Sequence, residues 1–202
     1  MSFASRQRAA LADLLEELGP FAPTECDGWQ TQDLAAHLYI RERRLDALPG
    51  IGLERFAGKT DQIQQEVLHS MDYPDLVREI RTPGWIMRPL DKLVNTSELF
   101  IHHEDVLRAN GRSQRLTPKE QAELWPLVGV MARRVQAKAG IQLRLGRLDT
   151  GEEKQIGTGS RIAHLRGLPS ELLLHLTGRQ SDVELIADPP VLDRWEGSVA
   201  SL

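Results

Sequence analysis

The segment Val94 to Ala109, VNTSELFIHHEDVLRA, sets the strongest condition on the fold. Its apolar residues Leu99, Phe100, Ile101, Val106 and Leu107, with Leu93 just before it, surround most of a helical circumference at about 100° per residue. A helix apolar on most sides has to be enclosed by other helices, which points to a bundle. Yet the same segment carries Glu98, His102, His103, Glu104 and Asp105. On the helical wheel Val94, Glu98, Asp105 and Ala109 share a narrow arc with His102 at its side, and Glu98 and His102 stand one turn apart, so their side chains can converge. His103 points well away. A buried carboxylate and imidazole must be neutral, hydrogen-bonded to each other, or bound to a cation that makes their burial tolerable.

The rest of the chain supplies the enclosing helices. Leu11, Leu14, Leu15 and Leu18 recur at helical spacing from about Phe3, and Gly19-Pro20 stops the run. Thr31 and Asp33 start a second helix over QDLAAHLYIRERRLDAL, closed by Pro49-Gly50. Asp61 to Arg81 reads as a third, bent or divided at Tyr73-Pro74 and ended by TPGW. A fourth runs from about Pro89 to Asn110-Gly111, and Thr117-Pro118 caps and opens a fifth. Beyond Gly140 the pattern changes: IQLRLGRL alternates with period two, KQIGTGSRIAHLRG fits short strands, LPSELLLHLTG a short helix, and SDVELIAD a further strand. The expected architecture is mainly α: a helical bundle over residues 1–139 and a small α+β domain over 140–202.

A formal charge of -4 and a pI near 5.9 create no basic field for nucleic acid or an anionic membrane, so neither is an expected partner. The single cysteine, Cys26, excludes an intrachain disulfide framework and fits a reducing compartment. No leader-like apolar stretch opens the chain and no run approaches the ~20 apolar residues of a membrane span. The expected location is cytoplasmic. GTGS at Gly157 to Ser160 lacks the following Lys of a phosphate loop, which removes the nucleotide-binding reading.

Imidazole and carboxylate suit Zn²⁺ and related ions, but two ligands do not make a firm site. His37 is the best third donor, because on its helix it borders the stripe of Leu34, Leu38, Leu45 and Leu48 at the edge of the core. His37, Glu98 and His102 from two facing helices would leave coordination positions open, as a catalytic site requires. Two plainer readings stand beside this one. Glu98 and His102 can form an ordinary i, i+4 hydrogen-bonded pair without metal, and His37 can be a packing residue. Asp105 can accept a hydrogen bond from a ligand histidine or pair with an arginine. Cys26 lies in the loop entering the histidine helix but has no base near it in sequence, so it reads as a packed loop residue. His103 and Glu104 read as solvent or interface positions, and Trp29 and Trp85 as packing over the bundle end.

Together, CDGWQTQDLAAHL and, about sixty residues later, ELFIHHEDVLRA resemble the metal-binding bundle of the mycothiol-dependent maleylpyruvate isomerase superfamily, a relative of DinB-like four-helix bundles. HLYIRERR and NTSELFIHHEDVLRA are most similar to an actinobacterial subgroup described as metal-binding proteins, and GLPSELLLHLTGRQSDVEL resembles the superfamily's small C-terminal domain. The resemblance covers nearly the whole chain. It implies metal ligands at His37, Glu98 and His102, with the following aspartate of the motif at Asp105. His103-Glu104 stand where the family carries apolar or aromatic residues, so the resemblance reaches the metal more securely than the substrate. Zn²⁺ is the first expectation, and the N₂O donor set also suits Ni²⁺, Mn²⁺ or Fe²⁺. The implied chemistry is metal-dependent use of a low-molecular-weight thiol such as mycothiol, in transfer to a small electrophile or in its isomerisation. Arg41 and Arg44 are the nearest candidates to hold an anionic substrate, with Arg81 and Arg108 behind them. The competing reading is a non-enzymatic metal- or ligand-binding module, and a homodimer is compatible with either.

Overall fold

A computed structural model describes residues 2–44, 57–84 and 94–199. Leu45 and Leu48, the Pro49-Gly50 stop, Trp85 and the expected helix start at Pro89 lie outside these residues. The chain divides into two compact units, Met1–Gln114 and Arg115–Leu202. The first is helical: α1 Phe3–Leu18, α2 Thr31–Arg43, α3 Ala57–Ser70, α4 Tyr73–Ile80 and α5 Val94–Ala109. The second contains α6 Pro118–Ala139, β1 Gln142–Arg147, β2 Glu153–Ile156, β3 Ile162–Gly167, α7 Pro169–Leu176, β4 Glu184–Ala187 and α8 Pro189–Val199. The architecture is mainly α, a DinB-like helical bundle followed by a small α+β region. The long helix α6 ends at Ala139, where the period-two pattern begins, but it falls within the second unit, which starts at Arg115.

Local chemistry accounts for the helix ends. Ser2 caps α1 by accepting from the Ser5 amide at 3.1 Å. In α2 the Asp33 carboxylate reaches back to the Gln30 amide at 2.9 Å, while the Thr31 hydroxyl donates to the Gly19 carbonyl at 2.5 Å and ties the start of α2 to the end of α1. Thr117 and Glu120 form a reciprocal box at the start of α6, and Gly140 ends that helix at φ 64°, a left-handed conformation that costs glycine little. The segment expected as one bent helix is two. Pro74 has no amide hydrogen and its ring opposes a carbonyl four residues back, so α3 ends at Ser70 and α4 restarts after Asp72 in extended conformation.

The core of the first unit is the aliphatic cluster of Leu11, Leu15, Leu34, Ile40, Leu76, Leu99 and Val106, each at most 2% exposed. One buried ion pair crosses it. Arg8 on α1 donates to both oxygens of Glu42 on α2, at 2.6 and 3.0 Å, and to the Ile80 carbonyl at the end of α4 at 2.9 Å. Glu42 also accepts from the Gly84 amide at 2.8 Å. A Cβ at Gly84 would stand 2.2 Å from the Glu42 carbonyl oxygen, so only glycine lets this segment approach α2 so closely.

In the second unit a four-stranded sheet runs in the order β2-β1-β3-β4, with β1 and β3 parallel and both outer pairings antiparallel. Leu143, Leu145, Ala163 and Leu165 are buried on one face under the helices; Arg144, Arg166 and Ile186 stand on the other. Helix α8 has no counterpart in the sequence expectations. Its Trp195 stacks on His175 of α7 at 5.4 Å between ring centroids.

Because removing one partner of a buried pair leaves the other charge uncompensated, Arg8→Ala should cost about 3–5 kcal/mol. The expected observation is a lower urea midpoint, with loss of the same order for Gly84→Ala, where the backbone itself must move.

Candidate metal centre

Helix α5 is buried along nearly its whole length, and its polar residues fall into two groups with separate partners. On the side facing α2, Glu98 Oε1 lies 3.2 Å from His37 Nε2, 3.3 Å from His102 Nε2 and 3.3 Å from Arg41 Nε. Arg41, only 6% exposed, also donates from Nη1 to Asn95 Oδ1 at 2.5 Å. Behind His102, Nδ1 stands 3.0 Å from Asp105 Oδ2, and the Asp105 residue is 1% exposed. The His37 and His102 rings meet edge to face at 5.3 Å, and Trp29 lies against the other side of His37 at 5.1 Å.

These contacts decide the ionisation of the group. Burial pushes the Glu98 carboxyl up, but the hydrogen bonds from His102 and His37 and the charges of His102 and Arg41 outweigh it and hold Glu98 well below the ordinary carboxylate range. Burial pushes His102 down, and its hydrogen bonds to Asp105, Cys26 and Glu98 outweigh that and raise it well above an ordinary histidine. His37 is lowered, chiefly by burial, in spite of its hydrogen bond to Glu98. These shifts favour an ionised Glu98 and a protonated His102 beside the Arg41 guanidinium, with His37 neutral.

The donor set also fits a divalent ion. Ligand atoms about 2.1 Å from a tetrahedral Zn²⁺ lie about 3.4 Å apart. The two nitrogen-to-Oε1 separations, 3.2 and 3.3 Å, have that spacing, and all three donor atoms lie within 4.8 Å of one another. Once His102 gives up its Nε2 proton, keeping Nδ1–H against Asp105, its Nε2 lone pair would face this space. An ion there takes over the neutralising role of the imidazolium proton.

The remaining sequence candidates fall elsewhere. Arg44 is 3.9 Å from Glu66, Arg81 pairs with Asp13 and Glu16, and Arg108 pairs with Glu104. His103 and Glu104 are not solvent positions: they are 5% and 6% exposed, and they form the second polar group of α5. His103 Nδ1 lies 2.7 Å from Gln7 Oε1 of α1, and Gln114 donates to both Gln7 and Glu104. Glutamines more than ninety positions apart from or ten positions beyond these residues gave no sequence signal of this network. Cys26 was equally hidden. The 19–30 loop brings its Sγ to 3.3 Å from Asp105 Oδ2 and 3.8 Å from His102 Nδ1, so a residue with no base nearby in sequence has two polar neighbours in space. Trp29 packs on the core, as expected, and also on His37.

Burial lowers the pKa of His103 from 6.5 to about 4. An unfolded chain therefore takes up this proton below pH 6.5, while the folded chain resists until about pH 4. The stabilising contribution is complete above pH 6.5 and is lost as the pH falls through that window, on the order of 3 kcal/mol in all. His103→Gln keeps a donor for Gln7 without the titration. Its urea midpoint should fall less steeply than that of the wild-type chain between pH 6.5 and 4.

No family model and no curated protein matches the sequence. Among solved structures, the crystal structure of the mycothiol-dependent maleylpyruvate isomerase matches with a TM-score of 0.52 and 14% sequence identity, over 91% of this chain and 90% of that one. At that identity the likeness concerns the backbone, over almost the full length of both proteins. This chain therefore shares its overall fold with that protein.

Proposed function

We propose that the protein is a divalent-metal protein using His37, Glu98 and His102 as ligands, with Zn²⁺ as first choice, and that it carries out thiol-dependent transfer to, or isomerisation of, a small electrophile. The observation that carries this reading is the placement of two imidazole nitrogens from opposing helices within 3.3 Å of one carboxylate oxygen. The shared fold with a mycothiol-dependent isomerase supports it.

When bound, a divalent ion lowers the pKa of a thiol at its open position and so supplies thiolate at neutral pH. The chain's own residues do the rest. His37 and His102 present neutral Nε2 atoms, Glu98 supplies negative charge, and Asp105 holds the His102 ring by accepting its Nδ1–H. Trp29 packs against the His37 ring at 5.1 Å between centroids. Arg41 places a guanidinium beside Glu98, where it provides positive charge for an anionic substrate. A low-molecular-weight thiol such as mycothiol and an electrophile are the partners this arrangement needs; the site works within one chain or in a homodimer.

Elemental analysis of protein purified without a histidine tag should find about one divalent ion per chain. His37→Ala should lose it, and Asp105→Ala should weaken affinity by roughly 10–100-fold. Absence of stoichiometric metal, or metal unchanged in His37→Ala, would sink the assignment. Thiol-dependent turnover in a panel of small electrophiles should disappear on chelation and return on adding metal. Retained metal with no turnover would instead identify a binding module.

A further inference from the structure

His102 offers donors on both edges of one ring. Its Nε2 edge faces Glu98 and His37, whereas its Nδ1 edge faces Asp105 Oδ2 at 3.0 Å and Cys26 Sγ at 3.8 Å, with 3.3 Å between sulfur and carboxylate. For a tetrahedral ion with sulfur at about 2.3 Å and nitrogen or oxygen at about 2.1 Å, the sulfur edges measure about 3.6 Å and the nitrogen–oxygen edge about 3.4 Å. All three observed separations come within about half an ångström of these values. The three donor atoms form a compact group of their own, distinct from the His37 set except for the shared ring.

The loop presents Cys26 in a fixed position. The Glu25 amide donates to the Asp105 carbonyl at 3.1 Å, and the Asn110 side-chain amide donates to the Pro23 carbonyl at 3.0 Å, which fastens the loop along α5. Within the loop, the Thr24 hydroxyl accepts from the Cys26 amide and donates to the Trp29 carbonyl, and the Trp29 amide donates to the Cys26 carbonyl. Cys26 is partly exposed while Asp105 and His102 are buried, so an ion arriving from solvent meets sulfur first.

We propose that Cys26, His102 through Nδ1, and Asp105 form a second metal site that takes a soft ion such as Cd²⁺, Zn²⁺ or Cu⁺. Thiolate gives it a softer donor set than the nitrogen–oxygen set on the opposite edge. Binding there releases two protons to solvent, that of the Cys26 thiol and that on Nδ1 of His102, which frees the Nδ1 lone pair. The remaining ring proton sits on Nε2 and is donated to Glu98 Oε1, 3.3 Å away. An ion on the Nε2 edge requires the opposite tautomer, with its proton on Nδ1 donated to Asp105. The two sites therefore compete for one neutral ring. His37 takes no part in the second site, which stands independently of the function proposed above.

Titration of the full chain with Cd²⁺, followed by ultraviolet absorption, tests the assignment. A thiolate-to-metal charge-transfer band should grow to one equivalent while Cys26 loses reactivity towards a thiol reagent. Cys26→Ser, which keeps a hydroxyl for Asp105 and whose fold is checked by circular dichroism, should lose the band; His37→Ala should keep it. A band retained in His37→Ala supports the second site, whatever the metal content of the wild-type chain says of the first. Conversely, metal binding that survives in Cys26→Ser and vanishes in His37→Ala, with no thiolate band in the wild-type chain, overturns the second site and leaves the first standing.

Discussion

Enclosure of helix α5 is the condition to which the first unit answers. A helix with Phe100, Val106 and Leu99 in the core cannot leave Glu98, His102, His103, Glu104 and Asp105 in water, so each must find a partner inside the protein. The neighbours divide the task. Helix α2 and the 19–30 loop serve one side with His37, Arg41 and Cys26; α1 and Gln114 serve the other with Gln7 and an amide that bridges to Glu104. Thus the packing order of the helices and the pairing of the buried polar groups are one arrangement seen twice.

The two polar sides of α5 differ in what they can do. The Gln7 side joins neutral amides to a histidine that burial keeps uncharged over most of the acid range, and Arg108 neutralises its carboxylate. It consists of satisfied hydrogen bonds and makes no demand for a ligand. The His37 side concentrates two carboxylates, a guanidinium and two imidazoles within a few ångströms, with charge balance resting on the protonation of His102. That proton is the replaceable element. A divalent ion can take its place on one edge of the ring, and a soft ion can do so on the other where Cys26 stands. The buried Arg8–Glu42 pair has a supporting part, since it sets α1 and the end of α4 against α2 at the residue next to Arg41, a little over one turn beyond His37.

Much of this was legible in linear order because it depends on short-range rules. Gly19, Thr117 and Gly111 mark helix ends through a capping bond or left-handed backbone, and the i, i+4 spacing of Glu98 and His102 follows from helical geometry alone. The division at Pro74 was visible as a weak point, although missing hydrogen bonds made it a complete break between α3 and α4. By contrast, the short-range rules said nothing of Gln7 beside His103 or Cys26 beside Asp105, partners separated by 96 and 79 positions. Residue type alone misled at His103 and Glu104, because charged groups are usually exposed and only their remote partners make burial possible. Helix α8 was missed because the two prolines that open it read as a break in the chain, although proline also suits the first turn of a helix.

The sequence by itself determined that a bundle must enclose α5, that Glu98 and His102 share a face, and that the texture turns to strands after Gly140. Those properties follow from side-chain polarity and the 3.6- and 2-residue periods of the backbone. Only the tertiary structure decided which groups complete the site. It brought His37 and Arg41 to the same oxygen of Glu98, laid the Cys26 loop along Asp105, and buried His103 against α1. The reason is that burial charges a free-energy cost to every unpartnered polar group, and the partner that removes it is chosen by distance in space, which chain separation does not encode.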